Sequence, residues 1–466
     1  MAWRPRGSFA APAGATWAPP RGGHRASPGV ARDLSVPDAG LAPLLATALL
    51  VAYLLYLFVG LTPFDSGFTA DRVGGGSLDR LVLVAFAAVG GIVVALGLRS
   101  GLVALARTGA IWLMLAVVVG SIAWSAYPDL TLRRALATAL VGVTCFALAV
   151  GIRSLERLHA GLVLALGVAV LANVAALAVR PDFAITDIGV RGYFSQKNVL
   201  GLVMLIATVV AACRFCALGP GRTLARLACL GVAGGGLAML ALSQSKTSIA
   251  ITAVLLAAIP CLVLLRRLGP GVTGLVAIGG AGLAVTAALL LAGLPLDLLM
   301  RLLVPDLDLT FTGRNEIWEL VAADIASRPW TGFGYGAYWD VPAEADPITR
   351  APPGSWLGQA EIGVINQAHN GYMDLWVQLG LPALLLAVGL VAWSAWRGLR
   401  LFLRRDLARG ERWAALTTFL LLVGFLIHNL SESTLFFRGQ NFGNLAILLV
   451  FMMLASRSSG RPASAP

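Results

Sequence analysis

Runs of about 20 apolar residues recur along almost the whole chain, separated by short turns, and this pattern restricts the fold more than any other feature. A helix rises about 1.5 Å per residue, so such a run spans a hydrocarbon core of about 30 Å, and a helix satisfies its own backbone there. The runs lie near 41–62, 81–98, 109–125, 135–151, 160–179, 198–217, 227–242, 248–265, 271–294, 373–396, 413–430 and 441–455. They predict an all-α polytopic integral membrane protein with about twelve transmembrane helices. The composition agrees: 58% of the 466 residues are hydrophobic, only 12% are charged, and the mean hydropathy is +0.82, far too apolar for a soluble fold of this length.

The formal charge of +12 invites a nucleic-acid reading, but its arginines sit mainly in short loops between spans, as a positive-inside bias requires. An even number of spans puts both termini on one side. Arg153/Arg157, Arg222/Arg226, Arg266/Arg267 and Arg397/Arg400/Arg404/Arg405/Arg409/Arg412 then share that side, which the charge rule makes cytoplasmic. Losing one span near 99–109 or 241–248 would invert every later span, and the six arginines of 397–412 argue against that inversion. Residues 1–40, rich in Pro, Gly, Ala and Arg, are expected to be a disordered basic cytoplasmic tail. The tail is too long for a signal-peptide n-region, so the first apolar run reads as a retained anchor. Residues 41–455 form the membrane domain, and 456–466 a second disordered tail. The five cysteines fall in or beside apolar segments, so no disulfide framework is implied. Cys213 and Cys216 form a C-x-x-C without a second pair or a nearby histidine, which reads as helix packing rather than a metal site.

One long polar segment, 295–372, interrupts the apolar pattern and is expected to face outward. Within it Ile317, Leu320, Val321 and Ile325 make a helical stripe over Gly313–Ser327, with Thr312 as N-cap and Arg328-Pro329 as its end. Arg314, in the first turn, can grip a phosphate through two parallel hydrogen bonds, or pair with a carboxylate such as Asp308. The run from Trp330 to Trp339 alternates small residues with aromatics, which suits either the lipid–water interface or stacking against a sugar. His369 sits where the polar segment meets a membrane helix, followed by Asn370, Tyr372 and Trp376, and an imidazole there can take or orient a hydroxyl proton. Lysine occurs only as Lys197 and Lys246, both at outward span ends, where positive charge opposes the topology rule. They point to an anionic ligand at the outer surface, or to cations reaching lipid phosphate. Asp306-Leu307-Asp308 is too short a pattern to claim a metal, and Arg133, Arg134, Glu316, Glu361 and Glu432 are further outward groups that the sequence cannot rank.

Five pieces occur in order: Arg191-Gly192-Tyr193-Phe194 with Lys197-Asn198, Ser245-Lys246-Thr247, Thr312-Gly313-Arg314 with Ile317-Trp318, Gly332-Phe333-Gly334-Tyr335-Gly336, and His369-Asn370-Gly371-Tyr372. Together they resemble the O-antigen ligase and polysaccharide polymerase family over about residues 110–450. The resemblance implies a GT-C-like fold and an inverting, metal-independent glycosyltransferase with no cofactor. It would act at the outer face of the bacterial cytoplasmic membrane on a glycan carried by polyprenyl (undecaprenyl) diphosphate. It implies that His369 activates the acceptor hydroxyl and that Arg314 and Lys246, with Arg191 and Lys197, hold the diphosphate. Asn370, Tyr335, Trp339 and Glu316 are then the expected acceptor or sugar contacts. The ligases more often carry arginine where Lys246 stands, and lysine lacks the guanidinium fork. The Ser-Lys-Thr variant and the aromatic run look more like an exopolysaccharide polymerase than a lipopolysaccharide ligase. The bilayer, the lipid-linked oligosaccharide, a chain-length regulator and export proteins are the implied partners. A flippase is the competing class, and it would need more charged or helix-breaking residues deep within spans.

Overall fold

The computed structural model describes residues 40–61, 64, 77–268, 314–360, 365–436 and 441–456. The expected span 271–294, Asp306, Asp308, Thr312, Gly313 and Glu361 lie outside these, as do residues 1–39 of the tail. The described residues from Leu41 onward form one compact unit.

Among the described residues the chain is almost entirely helical. The helices are α1 (Leu41–Phe58), α2 (Ser77–Leu96), α3 (Leu98–Arg107), α4 (Gly109–Gly120), α5 (Pro128–Ile152), α6 (Leu155–Val179), the short α7 (Pro181–Ala184), α8 (Lys197–Ala217), α9 (Thr223–Ser243), α10 (Lys246–Arg267), α11 (Arg314–Ser327), α12 (Gly371–Leu403), α13 (Arg409–His428) and α14 (Asn441–Ala455). A two-residue hairpin follows α7, with β1 (Ile185–Thr186) antiparallel to β2 (Gly189–Val190) and Ile185 opposite Val190. Nine helices among the described residues are long and apolar enough to cross a membrane: α1, α2, α5, α6, α8, α9, α10, α12 and α13. The protein is thus an all-α, multi-pass membrane protein.

Two expected spans take a different form. The run at 109–125 is half of a bent pair, α3 followed by the helix through Trp124, with an angle of 77° between them. At the bend the Thr108 hydroxyl turns back to the Ala104 carbonyl at 2.9 Å, a local bond that competes with continuing the helix. The run at 441–455 forms α14, too short for a full span, and Phe442, Leu445, Leu448, Phe451 and Met453 on it are all buried. A helix apolar on every side belongs inside the bundle rather than at its edge.

Helix contact relies on small residues, as expected where lipid is as apolar as any side chain. A Cβ at Gly151 of α5 would lie 2.5 Å from the Ala46 Cβ of α1, and one at Gly201 of α8 would lie 2.5 Å from Ser245 Cβ. Leucines at positions such as 44, 171 and 224 face outward, where a bilayer would cover them.

The two ends of the bundle differ in chemistry. At one end Glu411 accepts hydrogen bonds from the Ser154 hydroxyl (2.5 Å) and the Leu155 amide (3.1 Å), Arg214 pairs with Glu156 (3.2 Å), and Arg409 donates to the Cys216 carbonyl (2.6 Å). The arginine-rich turns therefore gather together. At the other end lie the starts of α8, α10, α11 and α12 and the turn after α13.

The polar segment is fastened to that second end by a break in α12. Gly380 has φ +80° and ψ 171°, outside helical values, and Pro382 supplies no amide donor. The carbonyls of Val377 and Gln378 instead accept from the amides of Phe333 and Gly334, each at 2.9 Å, and the Leu381 amide donates to the Pro329 carbonyl at 2.9 Å. The expected single span 373–396 is consequently a short helix joined to a longer one, with the polar segment plugged into the joint. From α5, Arg134 donates to the carbonyls of Gly336, Trp339 (3.1 Å) and Asp340 (2.8 Å), so this buried cation clamps the loop rather than lining a ligand site.

Candidate active site

Four helix starts converge on one turn, residues 429–433. Asn198 in the first turn of α8 donates to Glu432 Oε1 at 3.1 Å. The Ser431 hydroxyl reaches Thr247, beside Lys246 at the start of α10, at 3.5 Å. Arg314, the first residue of α11, donates to the Ser431 carbonyl at 3.1 Å. The Gly371 amide, which opens α12, donates to the carbonyls of Asn429 (2.9 Å) and Glu432 (3.2 Å). Only glycine permits this last approach, since a Cβ on residue 371 would fall 1.9 Å from Asn429 Oδ1. Helix starts carry unpaired amides and partial positive charge, so their convergence creates a place suited to an anion.

Glu432 is the hub of the cluster. Its Oε2 holds His369 Nδ1 at 3.0 Å and its Oε1 lies 3.6 Å from Arg314 Nη2, with the carboxylate side chain 12% exposed. Burial alone would raise the Glu432 carboxyl. The hydrogen bond and charge of His369, followed by the charges of His428 and Arg314, outweigh burial and hold it below its ordinary value. Glu432 is thus kept ionised, holds His369 through Nδ1, and leaves Nε2 without a protein partner among the described residues. That arrangement suits an imidazole acting on a hydroxyl, with a carboxylate to stabilise the imidazolium that forms.

A second carboxylate sets the backbone that carries His369. His369 adopts φ +50°, a left-handed conformation that a branched or bulky side chain holds only when neighbours impose it. Asp374, 1% exposed, accepts from the Ala368 amide (2.9 Å), the Trp339 indole (2.6 Å) and the Ser433 hydroxyl. Ser433 in turn accepts from the Asn370 amide at 3.1 Å. The peptide unit after His369 is therefore tied through Ser433 to the turn that carries Glu432, and the residue before it is tied to Asp374.

The structure brings His369, Arg314 and the start of α10 with Lys246 to the same turn. The Lys246 side chain is exposed and makes no hydrogen bond or ion pair among the described residues. Arg314 pairs with Glu432; Asp308, the carboxylate expected beside it, lies outside the described residues.

Other expected site residues have different employment. Tyr335 and Trp339 are 1% and 3% exposed. The Tyr335 hydroxyl donates to the Phe436 carbonyl at 2.7 Å, and the Trp339 indole is held by Asp374. Neither ring face is presented to a sugar. Each of Gly332, Gly334 and Gly336 has positive φ, and the turns they allow fold the aromatic run inward. Glu316 accepts from the amides of Trp356 (3.3 Å) and Leu357 (2.7 Å) and so fastens a loop to the first turn of α11. Asn370 caps α12, accepting from the Tyr372 and Met373 amides at 3.1 and 3.2 Å. Arg191 donates to the Phe183 (2.7 Å) and Ser195 (3.4 Å) carbonyls and lies 3.9 Å over the Phe183 ring. Lys197 donates to the Ile188 carbonyl at 2.7 Å, bracing the hairpin turn. Among the described residues of the polar segment the exposed aromatics are instead Trp330 and Trp356.

Sequence reasoning left Glu432 unranked and did not single out Asp374 or Ser433. The polar run Asn429-Leu430-Ser431-Glu432-Ser433-Thr434 directly after a span is the signal that could have directed attention there. Among the described residues no group of three or more His, Cys, Asp or Glu side chains is placed to hold a metal ion.

A family model described as O-antigen ligase matches residues 230–388. The matched stretch runs from α9 past the break in α12 and contains Lys246, Arg314 and His369, while Asn198 and Glu432 lie on either side of it. A search of curated proteins finds no match.

Proposed function

From the match of residues 230–388 to the O-antigen ligase family, we propose that this membrane protein is a glycosyltransferase that moves a glycan from a polyprenyl diphosphate carrier onto a sugar hydroxyl. The observation that carries the reading is Glu432 gripping His369 at 3.0 Å and Arg314 at 3.6 Å where four helices begin.

In this reading the diphosphate lies against Arg314, Lys246 and the helix starts. Those groups stabilise the negative charge that grows as the bond from the sugar C1 to the phosphate oxygen breaks. The acceptor hydroxyl donates its proton to His369 Nε2 while its oxygen bonds to C1 from the opposite face, so the anomeric configuration inverts. Glu432 accepts from Nδ1 and balances the imidazolium. The lipid diphosphate departs with the electron pair, and no step calls on a metal. Trp356, exposed on a loop that Glu316 ties to the first turn of α11, offers the aromatic face for the glycan.

The site faces the outer side of the bacterial cytoplasmic membrane, opposite the arginine-rich end. The acceptor is a second lipid-linked glycan, making the enzyme an exopolysaccharide or O-antigen polymerase. The Ser245-Lys246-Thr247 variant supports that choice over a ligase acting on lipid A-core. Cells lacking the gene, complemented at matched membrane levels with wild type, His369→Ala or Arg314→Ala, test the proposal. Either variant is expected to accumulate unpolymerised lipid-linked units on the outer leaflet; full-length polymer from both would refute the site.

A further inference from the structure

At the end of the bundle away from His369, four arginines lie at the ends of α9, α10 and α13. Arg226 of α9 lies over the Phe215 ring at 4.4 Å, and Arg409 holds the carbonyl of the next residue, Cys216, at 2.6 Å. Arg412 follows Arg409 one turn along α13, and α13 packs against α10, whose last turn carries Arg266. Like charges brought together at helix ends repel unless something negative sits among them.

The acidic groups nearby are already committed. Glu411 turns away to cap α6 through Ser154, Leu155 and Glu156, Glu156 pairs with Arg214, and Asp406 pairs with Arg404 at 2.5 Å. Carbonyl oxygens position Arg409 and Arg412 without neutralising them. The Nε atoms of Arg226 and Arg266 are buried with no hydrogen-bond partner among the described residues. A buried guanidinium N–H left unpaired is costly, and two at one end of the bundle call for an acceptor with multiple oxygens and negative charge.

We infer that the corner formed by Arg226, Arg266, Arg409 and Arg412 binds the phosphodiester headgroup of an anionic phospholipid. Planar guanidinium forks match phosphate oxygens. The lipid source is indicated by the surroundings: Leu264, one turn before Arg267 on α10, is 57% exposed, Leu268 is 50% exposed, and Val254 further along the same helix is 57% exposed. An acyl chain lying along α10 would cover these side chains while its headgroup meets the arginines. The site is independent of glycan transfer at the opposite end.

The full-length protein in an uncharged detergent, titrated with phosphatidylglycerol, phosphatidylcholine or inorganic phosphate while Tm is followed by tryptophan fluorescence, tests the inference. Phosphatidylglycerol is expected to raise Tm by about 3 °C, with phosphatidylcholine and phosphate each giving under half of that. The double variant Arg266→Gln/Arg412→Gln is expected to lose the phosphatidylglycerol increment. Equal shifts from the two lipids, an equal shift from phosphate, or a phosphatidylglycerol increment that survives in the double variant would each overturn it. The headgroup comparison on wild-type protein decides the matter even if the double variant does not fold.

Discussion

At the scale of single residues, the account turns on Glu432, because one carboxylate orients the imidazole and tethers the arginine. Glu432→Gln keeps the shape but removes the charge that favours an imidazolium. It is expected to lower kcat about 10²-fold with a smaller change in donor KM, measured as product formed on a synthetic lipid-linked donor. The same group makes a pH prediction. Its carboxyl is held below the ordinary value in the folded state, so its contribution to stability is complete above the unfolded value and is lost as pH falls through the folded one. Acid unfolding followed by fluorescence should therefore show wild type losing its advantage over Glu432→Gln as pH drops below about 4. Little of this was legible in the sequence. His369 and Arg314 stood out because a histidine and a first-turn arginine border an apolar span. Glu432 sits in a polar turn 63 residues beyond His369 in the chain, where a carboxylate looks the same whether it meets solvent or an imidazole. Only the fold brings the two together.

At the scale of elements, helix existence could be read from run length, because the bilayer imposes it, whereas the breaks could not. Gly380 looks like any small residue tolerated in a membrane helix until the carbonyls it frees are seen to bond Phe333 and Gly334. The glycine–aromatic alternation of 332–339 was equally uninformative, since the same pattern serves an exposed platform or a packed loop. The positive φ angles, fixed by contacts with α5 and α12, settle it as packed. Gly380→Ala would place a Cβ 2.0 Å from the Trp330 carbonyl oxygen at φ +80°. It is expected to cost about 2 kcal/mol or more and to loosen the loop, seen as a lower Tm and faster proteolysis after Arg328 or Arg350. An unchanged Tm would mean that the joint is not what fastens the loop.

At the scale of the whole molecule, the two ends of the bundle are chemically opposite. One gathers arginines at the ends of α8, α10 and α12, and the other gathers helix starts around His369. Charge bias in the loops made this polarity readable from the sequence, since it arises from how a chain is inserted rather than from how it packs. In a background without native cysteines, Lys246→Cys is expected to react with a membrane-impermeant maleimide on intact cells whose outer envelope has been opened. Arg405→Cys should react only after the cytoplasmic membrane is permeabilised. Labelling of Arg405→Cys before the cytoplasmic membrane is permeabilised, or of Lys246→Cys only afterwards, would contradict the assignment of sides. The central claim is that His369 takes the acceptor proton while Arg314 and Lys246 hold the diphosphate. Its most direct test is single-turnover transfer by purified protein from a synthetic polyprenyl-diphosphate oligosaccharide, comparing wild type, His369→Gln and Lys246→Gln. His369→Gln is expected to slow transfer about 10³-fold with donor affinity nearly unchanged, while Lys246→Gln mainly weakens donor binding; wild-type transfer rates in His369→Gln would rule out His369 as the proton acceptor.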